Sequence, residues 1–128
     1  MKQYQNFAPP PQVGLPIIQK LVSAYKLWHE FLLHFPKTTR YTLGSKIDSQ
    51  FVELIELLFK ASIAQRQQKL PFLQRASITL DLLKFFLQIS WELKSLDAKK
   101  YVALSEHLYE TGKMLGGWNR QLIKENPA

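Results

Sequence analysis

The chain has no cysteine. That one absence removes disulfide bridges, thiolate metal sites and cysteine nucleophiles together, and it agrees with a reducing compartment. Histidine is nearly as scarce, with three residues in all. His29 and His34 are five apart, which points them in different directions on a helix and makes a poor metal pair. Together with His107 they read as surface or boundary residues. Glu53 and Glu56 are neighbours on a helix, but no Glu-x-x-His motif accompanies them, so a di-iron bundle is unsupported. No Gly-rich loop cradles a phosphate: Gly116-Gly117 falls inside a helical stretch and lacks the Walker pattern. No arginine precedes a histidine at the four-to-six spacing of helical ribonucleases. No apolar run of about eighteen residues exists, so no transmembrane helix is expected. The N-terminus has no basic stretch followed by an apolar core, so neither a signal peptide nor a membrane partner is expected, and the location is read as cytoplasmic. Strand-type alternation and Asn-Gly or Asp-Gly hairpin turns are also missing. These absences leave no catalytic residue, no metal site and no cofactor, and they disfavour an enzyme.

What is present is apolar mass at helical spacing and positive charge. Hydrophobic residues make up 46% of 128 residues, enough for one domain with its own core. The longest pattern runs from Tyr101 to Leu122. Tyr101, Leu104, Leu108, Thr111, Leu115, Trp118 and Leu122 alternate by three and four, the seam of a helix packed in a bundle. Gly112 and Gly116 lie one turn apart within it, and each costs about 1 kcal/mol of helix propensity relative to alanine. That cost predicts a neighbouring backbone close to both glycines, with Trp118 in the same packing surface.

Three earlier helices have the same period. Residues 1–15, with Pro9, Pro10 and Pro11, read as a flexible Pro-rich tail, and residues 16–125 as the folded domain. Pro16 opens the first helix, which carries Ile18, Leu21, Tyr25, Trp28, Leu32 and Phe35 and stops near His34, before Pro36. Lys37 to Tyr41 reads as a basic connection, and Thr42 as the N-cap of the second helix. That helix carries Leu43, Ile47, Phe51, Leu54 and Leu58, with Val52, Ile55 and Phe59 on an adjacent line. Pro71 is read as the start of the third helix. Leu73, Ala76, Leu80, Leu83 and Leu87 form one apolar line on it; Ile78, Leu82, Phe85, Ile89 and Leu93 form a second. Only a narrow polar strip, including Asp81 and Lys84, remains. A single core cannot bury both lines, which predicts a contact between subunits. Asp97 reads as the N-cap of the fourth helix. Short connections make sequential helices antiparallel, so the fold class is all-α, an up-down-up-down four-helix bundle.

The net charge is +7, which favours an anionic partner. Arg40 and Lys46 lie at and after the first connection. Lys99 and Lys100 begin the last helix, and Lys113, Arg120 and Lys124 continue down its outer face. Dispersed cations of this kind suit phosphate backbones and bind them without reading sequence. A solvated helix face is the competing reading for such a stripe, and a structural oligomer with no nucleic-acid role is the corresponding alternative for the protein.

Five stretches carry a resemblance: LPIIQK at Leu15 to Lys20, YTLGSKI at Tyr41 to Ile47, LDLLKFFLQISWEL at Leu80 to Leu93, YVALSEHL at Tyr101 to Leu108 and GKMLGGW at Gly112 to Trp118. In order and spacing they resemble the Avd family, the accessory variability determinants of diversity-generating retroelements. The resemblance implies a four-helix bundle assembled as a cyclic homopentamer. It also implies a reverse transcriptase as partner, binding to RNA or DNA including template-repeat RNA, and a non-enzymatic role in mutagenic retrohoming. A sister group, the four-helix proteins of 23S rRNA intervening sequences, shares the fold and is the alternative. The family has no catalytic motif to carry over. The binding residues named above therefore rest on spacing alone, and the tail before Leu15 lies outside the shared pattern.

Overall fold

A computed structural model describes residues 14–125, and these residues contain four long helices and no strand. We label them α1 (Gly14–Leu32), α2 (Ser45–Ile63), α3 (Arg66–Glu92) and α4 (Ala98–Glu125). A helical turn, Lys37–Thr39, and a π-helical turn, Arg40–Gly44, lead into α2. Each helix packs against two others, α1 on α2 and α4, and α3 on α2 and α4, so the four enclose one core. The expected Pro-rich tail lies outside the described residues, except that Gly14 and Leu15 already belong to α1.

The inward seams are the three-four lines read from the sequence. Leu104, Leu108, Thr111, Leu115, Trp118 and Leu122 are all buried on α4, and Leu73, Ala76, Leu80, Leu83 and Leu87 on α3. Each fully buried leucine removes enough apolar surface from water to contribute about 1.5–3 kcal/mol. Hydroxyls on these seams satisfy themselves by bonding back along their own helix. Thr79 donates to the Arg75 carbonyl at 3.0 Å, Ser90 to Phe86 at 2.9 Å and Thr111 to His107 at 2.9 Å. At the α1–α2 corner Trp28 is fully buried, stacked on Phe51 at 6.1 Å and edge-on to Phe35 at 5.4 Å. Its indole N–H still needs an acceptor, and Asp48 supplies one at 3.2 Å. The Tyr25 hydroxyl shares that carboxylate.

Two helix starts differ from expectation. The second helical segment begins at Lys37, not Thr42: Pro36 is extended and its carbonyl accepts from Thr39 and Arg40, at 3.2 and 2.8 Å. Thr42 caps nothing; its hydroxyl donates to the Thr39 carbonyl at 3.3 Å. The π turn closes where the Ser45 N–H reaches the Arg40 carbonyl. It brings the start of α2 against the end of α1 at Gly44, where a Cβ would lie 3.0 Å from Leu32 Cδ1 and 3.6 Å from the Thr39 carbonyl. It is the tightest of these glycine positions, and a larger side chain there would press Leu32 out of place. The third helix begins at Arg66, five residues before Pro71, which sits inside it. Proline removes the N–H that would reach the Gln67 carbonyl, but Gln67 and Pro71 are both exposed, so water can take that acceptor. Lys69 meanwhile bonds back to the Ala61 and Ser62 carbonyls at 2.8 and 3.3 Å, closing the end of α2. Burial holds the Lys69 ammonium below the ordinary lysine pKa.

The N-cap expected at Asp97 is present: its Oδ1 accepts from the Lys100 N–H at 2.8 Å. Just before it, α3 ends in a Schellman arrangement. Ser95 N–H reaches the Ser90 carbonyl at 2.9 Å, and Lys94 N–H the Trp91 carbonyl at 2.9 Å. Lys94 takes the left-handed position normally given to glycine, with φ of 63°.

Three predictions come from these contacts. Lys94→Gly removes the left-handed penalty and should raise stability by about 1 kcal/mol in chemical denaturation; a fall would show that the cap does not form. Asp48→Ala leaves the Trp28 N–H buried without an acceptor and should cost about 1–3 kcal/mol. Burial, then the Asp48 hydrogen bond and charge, raise the Tyr25 pKa above its ordinary value. A raised pKa means a contribution that is complete below the unfolded tyrosine value and lost as pH rises through the folded one. Stability should therefore fall more steeply at alkaline pH in the wild type than in Tyr25→Phe, measured by denaturation across that range.

Candidate nucleic-acid interface

Of the seven basic residues chosen from spacing, five are exposed: Lys46, Lys99, Lys113, Arg120 and Lys124. Three of these, Lys113, Arg120 and Lys124, share one face of α4 by helical geometry, opposite the leucine seam. Lys99 lies on the same face near the helix start, about 21 Å from Lys113 at 1.5 Å per residue. Lys46 is not part of this stripe. It belongs to α2, across the core from α4, and its ammonium sits 5.9 Å from the Phe86 ring centroid.

Arg40 and Lys100 depart from the expected exposed placement, because both are half-buried and already engaged. Arg40 donates through Nη2 and Nε to the Phe35 carbonyl at 2.8 and 3.2 Å, closing the chain just after α1. Lys100 places its ammonium 5.6 Å from the Phe31 ring centroid and 3.9 Å from Asp97. Within the stripe, Glu110 pairs with Lys113 at 3.2 Å, and Lys113 also lies 4.9 Å over the Tyr109 ring. The exposed ion pair contributes little by itself. Among the described residues Arg120 and Lys124 form no salt bridge.

The expected close backbone approach at Gly112 and Gly116 is not found. A Cβ at Gly112 would meet only Leu80 Cδ2 and Lys84 Nζ, both at 3.5 Å, and one at Gly116 only Arg120 Nη1 at 3.3 Å. All are ends of flexible side chains, with no neighbouring backbone nearby. The glycines instead open a groove between α3 and α4. One cavity of about 450 Å³ includes Asp81, Lys84, Phe85, Tyr101 and Tyr109 in its walls. A second of about 360 Å³ shares Asp81, Lys84 and Tyr109 and continues past Gly112 and Gly116. Trp118, grouped with the glycines from the sequence, is buried in the core. Lys84 was legible only as one member of α3's polar strip; its place over the glycines needed the pairing of the two helices.

The histidines occupy surface or boundary positions: His29 and His34 are exposed and His107 is half-buried. Among the described residues no group of histidine and carboxylate side chains could hold a metal ion, and no helix is long and apolar enough to cross a membrane.

Gly116→Ala should raise stability by about 1 kcal/mol, because it gains helix propensity and displaces only a mobile guanidinium; a clear loss in thermal unfolding would mean a neighbour closes on this position. Arg40→Ala should cost about 1.5–3 kcal/mol through its lost charged hydrogen bonds. Lys124→Ala, on the open face, should stay within about 0.5 kcal/mol of wild type. Equal effects of the two in urea denaturation would remove the distinction between an engaged and a free cation.

None of the curated proteins matches the chain, and no solved structure does. The family described as bAvd-like matches residues 15–122, which takes in all four helices apart from their outermost residues. The match spans the α3–α4 groove and most of the basic stripe, and on it the chain belongs to the bAvd-like family.

Proposed function

We propose that this chain is a non-enzymatic accessory protein of a diversity-generating retroelement. In this reading it works in the cytoplasm, binding template RNA or its cDNA copy together with the reverse transcriptase during mutagenic retrohoming. The observation that carries the reading is membership of the bAvd-like family across residues 15–122. The exposed cations of α4 support it physically, since a face with Lys113, Arg120 and Lys124 attracts polyanions.

The assembly belongs to the same proposal: helices alternating in direction, and five subunits closed in a ring. Lys69 of α3 meeting the last turn of α2, and Arg66 at the start of α3 pairing at 3.2 Å with Glu125 at the end of α4, support the alternation. The outer line of α3 supports contact between copies, since Ile78 is 69% exposed and Leu93 59%. A ring repeats each basic stripe and turns a modest field into a multivalent surface.

Reversing Lys113, Arg120 and Lys124 together to glutamate should weaken RNA binding and flatten its salt dependence, since fewer counterions are released. Helicity and the mass from light scattering should not change. A triple variant that binds with the wild-type affinity and salt slope would exclude α4 as the contact. A wild type that binds no nucleic acid at low salt would remove the nucleic-acid role altogether.

A further inference from the structure

The α3–α4 groove combines features that a merely solvated basic face does not have. Its floor is bare helix backbone at Gly112 and Gly116. Over that floor lie two cationic ends, Lys84 Nζ 3.5 Å from the Cβ position of Gly112 and Arg120 Nη1 3.3 Å from that of Gly116. The two glycines are one helical turn apart, so the like charges are held near one another. Neither forms a salt bridge among the described residues, and Asp81 is the carboxylate that lines the groove beside Lys84. Along the same groove the Tyr109 side chain is 60% exposed and Phe85 53%. The two cavities adjoin at Asp81, Lys84 and Tyr109; Phe85 lines the first and Lys113 the second, while Arg120 comes in over Gly116.

Cations beside exposed rings are what an unpaired nucleotide needs: phosphate on the charges and base against a ring face, with little regard to sequence. A duplex keeps its bases stacked inside and offers the groove only its backbone. We propose that the α3–α4 groove is a site for single-stranded nucleic acid, with Lys84 and Arg120 contacting phosphate and Tyr109 and Phe85 receiving an unstacked base. This rests on the nucleic-acid reading above and narrows it to single strands and to one groove. The glycines have a purpose in this arrangement, since any larger side chain on that face of α4 would fill the space a base occupies.

The test compares single-stranded and duplex RNA of equal length at low salt, using wild type, Gly116→Leu and Tyr109→Ala. Gly116→Leu fills the groove against flexible groups only, and Tyr109→Ala removes the stacking surface and the ring beneath Lys113 while leaving Lys84 and Arg120. Each should weaken single-strand binding about tenfold or more, the scale of stacking lost at one base. Duplex binding should change by less than about twofold. Light scattering and circular dichroism on the same samples should match wild type. Equal single-strand affinity in all three proteins overturns the proposal, and so does an equal loss for both RNAs. A change of subunit mass in Gly116→Leu also overturns it, by assigning the groove to contact between copies. Duplex binding that persists while the groove proves irrelevant sinks only this proposal; wild type binding neither RNA sinks the broader reading as well.

Discussion

Everything in the described fold depends on removing one apolar line of each helix from water at the same place. The lines of α3 and α4 meet face to face, and α1 and α2 close the other side with Trp28 and Phe51. Because hydrophobic burial is non-directional, it fixes which faces turn inward but not which polar groups come along. Those are handled one at a time. Hydroxyls bond back to their own helices, the Trp28 N–H finds Asp48, and Lys69 closes the carbonyls at the end of α2. The inward seams also set the outward ones: once Leu104, Leu108 and Leu115 face the core, Lys113 and Arg120 must face solvent.

The same logic leaves α3 with more apolar surface than one core can take. Its inner line is buried and its outer line is open, and the second line of α2 behaves alike, with Val52 and Phe59 exposed. These two surfaces lie on helices that pack against each other. The outer apolar line of α3 and the basic stripe of α4 lie on neighbouring helices, and the α3–α4 groove runs between those two helices.

The faces were legible in the sequence because each depends on a local period. Leu73 to Leu87 and Leu104 to Leu122 needed no partner to be recognised as inward, and Ile78 and Phe85 could be set apart as a surplus line. The starts of α2 and α3 were not legible. Lys37 to Thr39 carry no apolar period, so nothing local separates them from a loop, and Pro71 looks like a helix start although the Gln65 carbonyl already accepts from the Gln68 N–H upstream. Glycines inside helices are ambiguous for a similar reason. Gly44, Gly112 and Gly116 pay the same local cost, yet one admits a neighbouring helix end and the others leave a groove. Only Leu32 beside the first, and Lys84 beside the second, tell them apart. Arg40 shows the same limit for charge: its spacing fits a surface cation, while the Phe35 carbonyl that engages it comes from the preceding connection.

The π-helical turn at Arg40–Gly44 also carries a consequence for chain phase. A turn closed five residues back holds one residue more than an α-helical turn, and each residue of an α-helix advances the azimuth by about 100°. The short turn Lys37–Thr39 and the long helix α2 are thus wound on offset clocks. Without the extra residue, the two would share one continuous spiral. Arg40 would then point away from the end of α1 or Ile47 away from the core. The offset lets a single stretch of chain meet two unrelated alignments, one with the helix before it and one with the bundle.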